Sequence, residues 1–286
     1  MIHRLRLPTS DPEGATETTR RSKSAPKIRL SFNQRPLGVW TIRIVTFAVI
    51  LTSWELYGRT MNRALFAPPS RTVEAFVELA IDSNELWHAL GDSVTHLLIG
   101  FALAVVVGMF IGLLMGHFRL LEYLLDPYVS FLYALPMIVI VPLLIIWLGL
   151  GAESRIAIIF AVAIVPVILN TMAGAKRVSE NLMDVARNYE ATKRQMLRSV
   201  VLPSVLPYIF TGINVGIGTA IVGMILGEML LVIRGLGGMV VTYSNSFQPH
   251  KVFVPLLVIV GLSVGLTSML RFARRRLMPW GEVLSE

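Results

Sequence analysis

The 286-residue sequence contains no cysteine. That absence excludes a disulfide framework and any thiolate metal site. Histidine is nearly as scarce: His3, His88, His96, His117 and His250 are scattered without ligand spacing, so metal chemistry has little to build on. No G-x-x-x-x-G-K-[ST] phosphate loop occurs, and no polar stretch is long enough for a nucleotide-binding domain. A nucleophile, a base and an orienting group are nowhere found together, which disfavours an enzyme. Charge is thin as well, at 15% of residues against 54% hydrophobic.

What remains is apolar. A mean hydropathy of +0.66 is far above that of an average soluble domain, and uncharged windows of about 20 residues recur, the length a helix needs to cross a bilayer core. We read six spans: 39–57, 94–116, 128–148, 156–173, 205–233 and 252–270. The even number puts both termini on one side. Nineteen Lys and Arg fall in the segments then inside against six outside, which predicts cytoplasmic N- and C-termini. The net charge of +8 is accounted for by this topology and by anionic lipid heads, without nucleic acid as a partner.

Residues 1–36 carry eight Lys or Arg and few large apolar residues; they read as a basic, disordered cytoplasmic tail and not as a secretory signal. Residues 37–276 read as the membrane domain and 277–286 as a C-terminal cytoplasmic tail. Trp54 and Trp147 fall at predicted outer ends and Trp40 and Trp280 at inner ones, as interfacial anchors. The stretch APPSRTVEAFVELAIDSNELWHAL reads as an outer surface helix capped by Ser70, with Val73, Phe76, Val77, Ala80 and Ile81 on one face.

Small residues repeat every four positions: Gly100, Ala104, Gly108, Gly112 and Gly116 in span two, Gly212, Gly216 and Ala220 in span five, Gly261 and Gly265 in span six. Such ridges let helices approach closely in lipid, so a tight bundle is expected. Pro136, Pro142 and Pro166 each remove a helix hydrogen bond and predict kinks, which in a transporter could act as hinges.

Between spans four and five lies GAKRVSENLMDVARNYEATKRQMLRSVVLP, residues 174–203, rich in both charge signs. Leu182, Val185, Ala186 and Tyr189 recur at helical spacing, as do Met196, Leu197, Val200 and Val201. Two short amphipathic helices joined near residue 190 are predicted. Their apolar faces need a membrane surface or another protein.

This loop resembles that of the integral-membrane permeases of ATP-binding-cassette importers, whose motif runs Glu-Ala-Ala, three residues, Gly, nine residues, an aliphatic residue, one more, then Leu-Pro. Asp184, Val185 and Ala186 fill the triplet, Glu190 stands at the glycine position, and Val200, Leu202 and Pro203 fall at the required offsets. The ordered set APPSRTVEAF, DSVTHLLIGFALAVVVGMFIGLLMG, LDPYVSFLYALPMIVIVPLLIIWLGLG and GEML followed by RGLGG is similar to permeases for sulfonates, taurine, nitrate and thiamine-precursor pyrimidines.

The resemblance implies an all-α integral membrane bundle of the type I importer kind, with 174–203 docking into an ATPase subunit as a coupling helix. Contact residues would be Leu182, Asp184, Val185, Ala186, Arg187, Tyr189, Glu190, Leu202 and Pro203, with Asp184 a polar anchor. ATP and Mg would bind on two ATPase partner subunits and none on this chain. A second permease chain, as a homodimer or a related partner, and an extracytoplasmic solute-binding protein complete the set, in a bacterial inner membrane. The departure at Glu190 matters physically: either the helices join there without a left-handed residue, or a glutamate is held in that conformation at about 1 kcal/mol.

Span five reads as translocation path or gate through Thr211, Asn214, Thr219, Met224 and Glu228. Asn214 reads first as an interhelical hydrogen bond and second as a solute ligand. Glu228 has either a gate or dimer-contact role, or an interfacial or packing role, its position along the helix placing it near the outer interface. An ion-coupled secondary transporter is the rival reading; it has no need of the charged loop, and no inverted repeat is evident.

Overall fold

The computed structural model describes residues 36–62, 64–231 and 234–278. Apart from Pro36, Leu277 and Met278, the two tails lie outside these residues, as does Trp280. Among the described residues every regular element is helical. Helix α1 (Pro36–Thr60) straddles two compact units divided after Val49. In the first, the Arg43 guanidinium lies 5.5 Å over the Trp40 ring.

The second unit is built on three long helices: α3 (Glu85–His117), α6 (Ala152–Lys176) and α9 (Leu202–Leu231). Each α3 glycine of the predicted ridge meets α6: Gly100 faces Ile159, Gly108 faces Val167, Gly112 faces Thr171 and Gly116 faces Ala175. Asp92 near the start of α3 likewise binds Arg155 near the start of α6, so the two helices run side by side in the same sense along this seam.

 The partner number rises in step with the α3 number at a constant offset, the signature of parallel packing. Helix α9 runs antiparallel to both, with Tyr208 against Gly174, Gly212 against Asn170 and Gly223 against Ile159. At Gly112 an added Cβ would sit 2.7 Å from the Ile168 carbonyl oxygen, so this approach requires glycine. The span-six glycines behave differently. Gly261 and Gly265 face open space, and among the described residues no ridge packs there.

The bundle thus has two ends. One carries the starts of α3 and α6 and the finish of α9; the other carries Gly116, Ala175, Tyr208 and the 174–203 loop. Of the six expected spans, four are helices long and apolar enough to cross a membrane among the described residues: Glu85–His117, Ala152–Lys176, Lys193–Leu230 and Pro249–Leu277 (α11). Helix α1, where the first span was expected, is not among them. The third expected span, 128–148, is not one straight helix. Helix α4 (Arg119–Ala134) ends before Pro136, a short 3-10 turn follows, and α5 (Val141–Leu148) leaves at an 87° bend; taken as one broken span the pair makes a fifth. Pro136 forces Leu135 into extended backbone, so the expected kink becomes a break.

The surface helix also differs from its reading. Helix α2 (Pro69–Val77) continues as a π-helical turn to Asp82, and Asn84 in left-handed conformation (φ 55°) stops it, so Trp87 and Ala89 belong to α3. Ser70 does not cap. Its N–H (3.0 Å) and hydroxyl (2.8 Å) both donate to Glu55, because Pro68 already precedes the helix in extended backbone. The buried residues are Thr72, Ala75, Leu79 and Ala80, set against α11 and the bundle, while Val73, Phe76, Val77 and Ile81 face outward.

Candidate functional site

At the loop end, α7 (Glu180–Asn188) is closed by two hydrogen bonds: Glu190 N–H donates to Arg187 O (2.9 Å) and Ala191 N–H to Ala186 O (3.0 Å). This is the Schellman arrangement, and it puts Glu190 at the left-handed position that glycine ordinarily occupies. Its φ is +53°. Of the two joints considered for this turn, the left-handed one is found, at a cost of about 1 kcal/mol.

The chain restarts at once. Thr192 accepts from Gln195 N–H, and the Gln195 side chain accepts from Thr192 N–H (2.8 Å), a reciprocal capping box for α8 (Lys193–Met196). A π-helical turn, Leu197–Val201, then runs without interruption into α9. Lys193–Leu230 is therefore one continuous rod of 38 residues, about 57 Å long at ~1.5 Å per residue.

The predicted contact residues fall on and beside α7. Leu182 and Val185 (each 51% exposed) and Tyr189 (84%) form an apolar stripe with none of the described residues over it, whereas Ala186 is half-buried. Asp184 accepts from Arg187 at 3.0 Å on the exposed surface. Leu202 is exposed and Pro203 half-buried at the start of α9. Behind α7 lies a cavity of about 750 Å³ between Leu113, Leu114 and His117 of α3 and Met183, Arg187 and Leu197 of the loop. The loop is tethered at its entry, where Lys176 binds Glu122 (2.6 Å) and Arg177 reaches the Tyr208 hydroxyl (3.3 Å).

The span-five residues separate onto two faces. Thr211 and Asn214 lie on an exposed face; the Thr211 hydroxyl donates to Pro207 O (3.0 Å) of its own helix, and Thr219, half-buried, donates to Gly216 O (2.9 Å). Asn214 is exposed and makes no interhelical hydrogen bond among the described residues. Met224 and Glu228, each 1% exposed, are in the core.

Glu228 is not at a hydrated surface. Its Oε2 accepts the N–H of Gly237 (2.8 Å) in the first turn of α10 (Gly235–Asn245). Beside it, Leu236 N–H donates to Ser93 Oγ (2.9 Å). Farther along, the Tyr243 hydroxyl donates to Glu85 Oε2 (2.6 Å). The pairs 236–93 and 243–85 place α10 antiparallel to the first turns of α3, its N-terminus pointing down into the bundle by about 12 Å, eight residues of helix. Gly235 (φ +73°) permits that entry: a Cβ there would lie 2.5 Å from the Glu228 carboxyl. The carboxylate sits at the positive end of α10, the position a buried anion prefers.

Arg155, also buried, donates through Nη1 to Asp92. The Asp92 carbonyl in turn contacts His96 Nδ1 at 2.6 Å. Burial and the neighbouring Glu85 carboxylate raise the Tyr243 pKa, so its hydroxyl stays a donor at neutral pH. Among the described residues no group of three or more His, Asp or Glu could hold a metal ion.

Sequence reasoning missed Asp92, Ser93, Arg155, Gly235 and Gly237 as partners of Glu228. The available signals were GEML followed by RGLGG and an arginine adjoining an apolar run. It also missed the capping box, which T-x-x-Q at 192–195 spells out.

The family model for binding-protein-dependent transport system inner membrane components matches residues 104–279. The taurine transport system permease protein of Escherichia coli is 31% identical over 251 residues, covering 85% of this chain and 91% of that protein. The bicarbonate transport system permease protein of Synechococcus elongatus is 28% identical over 259 residues, covering 87% and 92%. With its bundle of apolar helices and this match, the chain belongs to the binding-protein-dependent transport system inner membrane components, as a multi-pass permease subunit of an ATP-binding-cassette importer.

Proposed function

We propose that two copies of this chain form the translocation path for a small organic or inorganic anion such as a sulfonate, taurine or nitrate, with a small heterocycle as the alternative cargo. Two ATPase subunits, carrying ATP and Mg, grip the 174–203 loops from the cytoplasm. A solute-binding protein delivers cargo to the opposite end, where Glu228 and α10 lie. The termini are cytoplasmic, in line with the excess of Lys and Arg in the tail, the loop and the C-terminal segment. The anion class draws on the relatives named for taurine and bicarbonate transport.

The observation that carries this reading is the join between surface and rod. The exposed stripe Leu182, Val185 and Tyr189 is linked by one tight turn to the helix Lys193–Leu230, which spans the bundle. A protein that grips α7 therefore moves the far end of α9 without a flexible intermediate. Thr211 and Asn214, on the exposed face of α9, meet the path or the second copy.

The test is copurification. Detergent-solubilised permease bearing Val185→Asp should lose its ATPase subunit, whereas Val73→Asp, on the outward face of α2, should retain it. Equal retention by both would remove the loop from the interface. Ligands of the associated solute-binding protein, screened by thermal shift, would identify the cargo.

A further inference from the structure

Two buried charged side chains at the α10 end are incompletely paired. Glu228 Oε1 and Arg155 Nε are both buried and neither makes a well-formed hydrogen bond among the described residues, although the Ser93 hydroxyl lies beside the Glu228 carboxyl and interacts with it. Their other atoms are engaged elsewhere: Glu228 Oε2 holds the Gly237 N–H, and Arg155 Nη1 holds Asp92, a third of whose side chain is exposed. Arg155 and Asp92 are both close enough to act electrostatically on Glu228. A buried charge with an unused donor or acceptor is costly, and a second arrangement that pairs the two unused atoms recovers part of that cost. An Arg–carboxylate pair using Nε and one Nη is the strongest such arrangement.

We propose that α10 is a plug at the outer end, latched by Glu228 and Ser93 onto α3 and α9, and that Arg155 releases it by exchanging Asp92 for Glu228. In the latched state the two backbone N–H groups of Leu236 and Gly237 are held by Ser93 and Glu228. In the released state Arg155 occupies the carboxylate, Gly237 loses its acceptor, and the first turn of α10 withdraws.

The mover is already present. Glu228 rides on the same continuous helix, Lys193–Leu230, whose other end adjoins α7, so displacement of the loop carries the carboxylate past Arg155 on the neighbouring α6. Withdrawal would widen the cavity of about 360 Å³ lined by Glu85, His88, Asp92, Arg234 and Gly235, which lies directly beside the latch. This inference rests on the importer reading and on its assignment of the α10 end to the outside.

The experiment uses the assembled transporter, permease with its ATPase and binding protein, in proteoliposomes. Because the chain has no cysteine, Leu236→Cys introduces its sole thiol, at a position 0% exposed. The rate of modification is measured with a membrane-impermeant maleimide added outside and, separately, with a permeant one. Modification should be slow at rest. It should rise about tenfold when Ser93→Ala removes one buried hydrogen bond of the latch, and by a similar factor on adding ATP and loaded binding protein. Arg155→Lys, which keeps charge for Asp92 but lacks the two-donor fork, should abolish most of the ATP-dependent rise.

Equal rates in every state and variant would overturn the latch. Labelling by the permeant reagent alone would instead overturn the outside assignment, while its state dependence would still judge the latch. Met239→Cys, 5% exposed on the same helix, serves if Leu236→Cys does not assemble.

Discussion

The Glu228 carboxylate accepts the backbone N–H of Gly237 at 2.8 Å, and both residues are buried where α9, α10 and α3 meet. A Cβ on residue 237 would stand 2.8 Å from Glu228 Cβ and 3.0 Å from the Ile225 carbonyl oxygen. Gly237→Ala must therefore shift backbone or carboxylate. A destabilisation of about 1–3 kcal/mol is expected, as for overpacked cores, read as a lower midpoint of thermal unfolding in detergent. An unchanged midpoint would mean that the α10 entry is looser than its geometry.

Glu190 stands in left-handed backbone at the close of α7. Glu190→Gly should relieve about 1 kcal/mol of local strain and slow amide hydrogen exchange at residues 190 and 191, whose N–H groups close the Schellman turn. ATPase binding should persist. Faster exchange there would show that the glutamate side chain contributes more than its backbone conformation costs.

At the restart of the helix, Thr192→Ala removes half of the capping box with Gln195. Loss of about 1 kcal/mol is expected, seen as faster hydrogen exchange over residues 193–196. Protection deeper in α9, from residue 205 on, should be unaffected, because those amides bond within the helix.

The glycine ridges give a paired prediction. Gly112→Ala drives a methyl to 2.7 Å from Ile168 O, so the α3–α6 seam must part and unfolding should come earlier. Gly261→Ala enters open space on α11 and should leave the isolated chain's midpoint unchanged. Equal effects from the two would contradict the packing described here.

Much of this was legible in the sequence. The four-residue spacing of Gly100, Ala104, Gly108, Gly112 and Gly116 marks one face of α3 as a packing face, because in lipid only close approach rewards such a stripe. The loop was legible for a related reason: Leu182, Val185 and Tyr189 at helical spacing among charges have no place inside the bundle. What spacing could not supply was which face meets which neighbour. Gly261 and Gly265 form the same pattern as the α3 ridge yet stand open, and Met224 and Glu228 share a helix with Thr211 and Asn214 but not a face. For Glu228, depth along the helix did not reveal burial. Its distance from the start of α9 placed it near an interface, and only the return of α10 into the bundle buries it. Pro136 signalled a kink, but the size of the bend depended on how α4 and α5 pack, which no local rule contains.

The most direct measurement places a single cysteine at Val185 in this cysteine-free chain and adds a short bifunctional crosslinker to membranes containing the whole transporter. The expected product is a covalent pair of permease and ATPase subunit, absent when the cysteine is placed at Val73 on α2. Crosslinks that join Val185→Cys only to lipid or to another part of the permease would contradict the assignment of α7 as the surface the ATPase grips.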